Sequence, residues 1–133
     1  MLPFVLAAAL VAAEPSPCPS DLLVANPQLK IVRAIDRARD NYVVTVDVKN
    51  RGVAAQPAGT LQHLALVRDG ATLGRQPIPS LGPNQSYAAA FRLQMPHARK
   101  RAPLEVEFRY VLDSKNASRA NCTSVNDRLA ATL

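Results

Sequence analysis

The 133-residue sequence predicts an all-β fold, an antiparallel sandwich of about seven strands. Three observations carry that prediction. Two stretches carry an apolar residue at every second position, YVVTVDVK from Tyr42 and LEVEFRYVL from Leu104, and such a period gives a strand one core face and one wet face. Turn signals recur roughly every ten residues, among them Asn50-Arg51-Gly52, Asp69-Gly70 and Gly82-Pro83-Asn84-Gln85. Finally, eleven prolines and the lack of any long helix-period stretch favour short extended elements.

Taken in order, residues 1–13 (MLPFVLAAALVAA) are uncharged and end in small residues. They read as an export signal cut before Glu14, with the terminal amine as its positive charge. The alternatives are a buried N-terminal strand or a membrane anchor, but the run falls short of the roughly 20 residues a spanning helix needs. Residues 14–20 form a Pro-rich lead-in, and residues 21–133 make one domain with a single core. No later apolar run is long enough to span a bilayer.

Within the domain, Leu29, Ile31 and Ile35 suggest a first strand that ends in the polar turn 36–41. In the next strand Tyr42, Val44, Val46 and Val48 face the core. Asn50 and Gly52 suit the positive φ of the turn after it. Leu64 and Leu66 point inward before the Asp69-Gly70 hairpin, which returns through Leu73 and Ile78. Pro77 and Pro79 confine that returning strand to an edge. Ala89, Phe91 and Leu93 form another inward row, and so do Leu104, Val106, Phe108, Tyr110 and Leu112. A last strand occupies Arg128 to Leu133.

Cys18 and Cys122 lie near opposite ends of the exported part. An even cysteine count in an oxidising compartment favours a disulfide. It would close a loop of about 100 residues, worth about 4–5 kcal/mol on chain entropy. Two separate buried thiols are the alternative. The net charge of +6 favours anionic partners such as cell-wall polymers, lipid headgroups or acidic proteins; scattered charge that serves only solubility explains it equally well.

Residues with chemical potential are few. His63, His97 and Met95 invite a copper or zinc reading, but a metal needs three or four ligands in defined geometry. No metal site and no cofactor are therefore expected. Glu105 and Glu107 share one outward strand face roughly 7 Å apart, where no cleft is expected to raise a carboxyl pKa for acid catalysis. Nucleophile elbows and phosphate loops are missing, so no catalytic residues and no enzyme are expected. Three glycosylation patterns, at Asn84, Asn116 and Asn121, read as chance matches. The cluster Arg99-Lys100-Arg101 is the best contact site, a basic loop able to grip phosphate or carboxylate, with Arg51 as its neighbour. Without interleaved aromatics it is no nucleic-acid site.

Four segments together carry a family resemblance: DLLVANPQLKI from Asp21, YVVTVDVKNRGVAAQPA from Tyr42, LALVRDGATLGRQPIPSLGPNQSYAAAF from Leu64, and LEVEFRYVLDSKN from Leu104. In order and spacing they resemble the bacterial cell-adhesion-related domain, CARDB. The resemblance implies an Ig-like/fibronectin type III-like β-sandwich and an extracytoplasmic binding or spacer module. The stretch 113–128, DSKNASRANCTSVNDR, departs from the acidic, Asn-rich end usual in that family, so no role of those acids carries over. The expectation is a periplasmic or secreted, non-catalytic adhesion-type module that contacts an envelope protein, an anionic glycan or a lipid headgroup. The alternatives are an accessory subunit pairing through an edge strand and, last, a small metal carrier.

Overall fold

The computed structural model describes residues 19–114, 121 and 127–133. Among them are seven strands and no helix: β1 (Leu22–Ala34), β2 (Arg39–Asn50), β3 (Gln62–Arg68), β4 (Ala71–Pro77), β5 (Ser86–Pro96), β6 (Glu105–Leu112) and β7 (Arg128–Thr132). They form two sheets, β1-β2-β5 and β4-β3-β6-β7, and every pairing is antiparallel. This is the expected Ig-like/fibronectin type III-like sandwich. At its upper end lie the turns β1–β2, β3–β4 and β5–β6. The lower end gathers residues 19–21, 51–61 and 78–85.

β2 is the central strand of its sheet and keeps the alternation read from its sequence. Tyr42, Val44, Val46 and Val48 are buried, while Val43, Thr45, Asp47 and Lys49 lie half in solvent. Opposite them in the core stand Leu64 and Leu66 of β3 and Val106, Phe108 and Tyr110 of β6. Phe91 and Phe108 bridge the two sheets, their tilted rings 6.1 Å apart. The hairpin at Asp69-Gly70 has both residues at positive φ (50° and 79°), the primed turn that matches strand twist. Pro77 ends β4, an edge strand as expected.

Three local expectations need correction. Ile35 is exposed (44%): it follows the last residue of β1, and the bulge between Leu29 and Ile31, one of two in this strand with that between Ala25 and Gln28, takes it off the face of Leu29. Asn26 takes a left-handed φ of 55° before Pro27, which breaks the period-two pattern. Leu22 and Val24, which precede the break, are the buried residues of this strand; the side chain of Ile31 lies outside the described part. Leu73 also faces solvent, since the shift between Leu66–Gly74 and Val67–Thr72 makes it the extra residue of a bulge. Gly74 then faces Phe91, where an added Cβ would come within 3.3 Å of the ring.

The third correction concerns Asn50 and Gly52, since neither adopts positive φ. Asn50 is fully buried and uses its whole amide. Its Oδ1 accepts from Asp21 N (3.1 Å) and Gly52 N (2.9 Å), and its Nδ2 donates to Ala54 O (2.9 Å) and Leu81 O (3.1 Å). Gly52 is required by close approach: a Cβ there would stand 2.5 Å from Pro19 O and 2.6 Å from Ser20 Cα. The two residues therefore clasp the chain's entry segment and the 78–85 loop to the end of β2.

A second buried amide pair lies close by. Gln56 and Gln62 exchange hydrogen bonds of 2.8 Å, and Gln62 also bonds Pro79 O and accepts from the Tyr110 hydroxyl. Burial pushes the Tyr110 pKa well above its ordinary value, so the phenol stays neutral and can donate.

Candidate functional site

β5 leaves its sheet at Pro96, opposite Arg39 at the start of β2. That register places the loop after β5 against the β1–β2 turn, and the main chain joins them through His97 N to Ala38 O (2.9 Å). The turn itself is fixed by Asp36, whose Oδ1 accepts from Ala38 N and Arg39 N at 2.8 and 2.9 Å. Arg39 also pairs with Asp36 at 3.0 Å. The Ala38 amide, helped by Arg39, holds the Asp36 carboxyl below its usual pKa.

This geometry brings Arg37 to the loop that carries Arg99, Lys100 and Arg101. All four are exposed, and among the described residues Arg37, Arg99, Lys100 and Arg101 form no ion pair. Arg101 instead donates to Leu133 O at 2.8 Å and so ties the loop to the strand pair that closes the second sheet. Leu104 and Leu133 exchange main-chain bonds just beside it.

Arg51 is not part of this group. It follows β2 at the lower end, one strand length from the basic loop, and its Nε bonds the buried Asp21 carboxylate at 2.7 Å. Its work is to compensate a carboxylate held in the clasp. Arg37 takes the place expected for Arg51, and the sequence hid it inside what reads as an ordinary polar turn.

The histidines are separated too. His97 Nδ1 lies 3.0 Å from Asp40 Oδ1, and His63 Nδ1 lies 2.8 Å from Asp113 Oδ2 on the other sheet. Met95 Sδ is turned to Arg68 (3.8 Å). Among the described residues no group of three or more His, Cys, Asp or Glu side chains could hold a metal ion. Glu105 is exposed on its strand, and the neighbouring Glu107 pairs with Arg109. At the lower end, Leu22 N donates to Asn121 Oδ1 (3.1 Å), and Asn121 Nδ2 donates to Asp127 (2.8 Å). Partial burial pushes the Asp127 pKa up, with the Asp21 charge adding to the effect. Cys18 and Cys122 lie outside the described residues. Among the described residues no helix is long and apolar enough to cross a membrane.

Comparison with known proteins agrees with this architecture. The CARDB family model matches residues 19–127. Among solved structures, the CARDB domain of a Pyrococcus furiosus protein, crystallised in complex with di-metal ions, superposes with a TM-score of 0.51. The match covers 86% of each chain at 18% identity, which shows a shared fold. No curated protein matches the chain.

Proposed function

This chain belongs to the CARDB family, and from that premise we infer that it is a non-catalytic binding module of the cell envelope, gripping an anionic envelope polymer with the upper end of its sandwich. The observation that carries this reading is the His97–Ala38 main-chain bond, which sets the turn bearing Arg37 beside the loop bearing Arg99 and Lys100. Three exposed cations come from two segments locked together by the His97–Ala38 bond, with no acid paired to them among the described residues. Arginine forks take carboxylate or phosphate oxygens two at a time, and a pre-set turn lowers the ordering cost of doing so.

Export to the periplasm or the exterior, with a Cys18–Cys122 disulfide, completes the reading. The disulfide is supported by the positions of their described neighbours: Pro19, next to Cys18, and Asn121, next to Cys122, both lie at the lower end. No metal is carried over from the Pyrococcus domain, because the described residues assemble no ligand set for one.

Titration of the protein with dextran sulfate, a stand-in for an envelope polyanion, tests the reading. Arg37→Ala, Arg99→Ala and Lys100→Ala combined should weaken binding by about tenfold and flatten its salt dependence. An unchanged affinity discards the upper end as the contact surface. Arg101 is left intact because its loss would also free the Leu133 carbonyl.

A further inference from the structure

The outward face of the β4-β3-β6-β7 sheet carries a row of arginines that the sequence disperses over more than fifty residues. Strand register pairs Arg75 of β4 with Ala65 of β3, Ala65 with Arg109 of β6, and Arg109 with Arg128 of β7. The row therefore crosses the sheet at right angles to the strands. With strands about 4.8 Å apart it spans roughly 14 Å. The inward neighbours establish which way it faces: Leu64 and Leu66 flank Ala65, Phe108 and Tyr110 flank Arg109, and all four are buried in the core. Ala65, although outward, is only 6% exposed and leaves a low saddle between Arg75 and Arg109.

The charges in this row differ in availability. Arg75 and Arg128 are exposed and have no ion-pair partner among the described residues. Arg109 is half-buried and paired with Glu107 on its own strand. The geometry points to a second binding site here, for a linear polysaccharide bearing carboxylate or sulfate groups that lies along the row, with Arg75 and Arg128 each engaging one oxyanion. Glu107 competes with the ligand for Arg109 and weakens its grip. A polysaccharide fits better than an acidic peptide, because a peptide would seek a strand edge or side-chain pockets, whereas this face offers two exposed arginine forks three strands apart on a paired surface with a low saddle between them. The site shares its ligand class with the proposed function but uses none of the same residues.

The test titrates the full protein with polygalacturonate, which carries carboxylates, and with dextran sulfate. Arg75→Ser with Arg128→Ser alters two exposed side chains and should leave the thermal midpoint in place. Loss of affinity by about tenfold for either polymer in this variant, with Glu107→Gln tightening binding several-fold, supports the site. The polymer that is affected identifies the favoured oxyanion. Unchanged affinity in the row variant overturns the site; if the upper-end variant loses affinity in the same experiment, the proposed function stands without it. Loss in the row variant alone supports the site and discards the upper end. A wild-type protein that binds neither polymer overturns both.

Discussion

Replacing Asn50 with alanine tests the clasp directly. Four main-chain groups lose their partner, and the bonds to Asp21 N and Leu81 O are the fully buried pair. A buried polar group left unsatisfied costs about 1–3 kcal/mol, so these two alone cost about 2–6 kcal/mol. The Gly52 and Ala54 bonds are partly open to water and add less. A loss of about 3–4 kcal/mol is expected, a large part of the roughly 5–15 kcal/mol a domain of this kind possesses. The melting temperature should then fall by about 10–20 °C. Urea unfolding followed by far-UV circular dichroism measures the change, with the slope m expected to stay constant. Asn50→Asp separates the two halves of the amide, since a carboxylate still accepts from Asp21 N and Gly52 N but offers nothing to the two carbonyls. A loss under about 1 kcal/mol in Asn50→Ala would mean that a water molecule replaces the amide at little cost, and the clasp would then not be what holds this end together.

Gly52→Ala should destabilise by a similar amount although its φ is ordinary, because the clash is with backbone atoms of Pro19 and Ser20; a thermal midpoint within about 2 °C of wild type would refute the close-approach argument. Asp127→Asn should raise the melting temperature by about 1–3 °C at pH 7. The folded pKa of Asp127 is raised, so the native state binds more protons than the unfolded chain and wild-type stability falls as pH rises from the ordinary carboxyl range through the folded pKa. The advantage of the variant should therefore vanish on acidification below that window, and a constant advantage at all pH values would assign it to another cause. For the cysteines, intact mass of protein recovered from its native envelope should show loss of residues 1–13 and a gain of about 2 Da on reduction, and reduction should cost about 4–5 kcal/mol of stability; an uncut, fully reduced chain would remove the envelope from the proposed function.

The strands were legible because period-two alternation is a local property, and β2 and β6 show it without interruption. What could not be read locally is where separate segments meet. Asn50 and Gly52 have the composition of a positive-φ turn, yet their partners come from Pro19, Asp21 and Leu81, and those contacts decide why an amide and a residue without Cβ are needed. The basic loop was legible as Arg99-Lys100-Arg101, since adjacency is visible in a sequence. Its neighbour in space is not visible there, because only the Arg39–Pro96 register reveals that Arg37, and not Arg51, shares that end. Ile35 and Leu73 are apolar at expected places and still face water, because the bulge between Leu29 and Ile31 takes Ile35 off the face of Leu29 and Leu73 is itself the extra residue of a bulge.

The two ends of the sandwich are held by different kinds of force. The lower end keeps the Asn50 clasp and the Gln56–Gln62–Tyr110 cluster, neutral and buried, beside the Arg51–Asp21 pair, whereas the upper end has charges near water in Arg39–Asp36 and Arg68–Asp69. Ionic strength screens the second kind and leaves the first untouched. Brief local openings, of the sort that let amide protons exchange with solvent, should therefore be more frequent at the upper end and rise there with salt. The loops at the upper end can accordingly change length and composition while the anchoring of the sheets stays at the opposite pole.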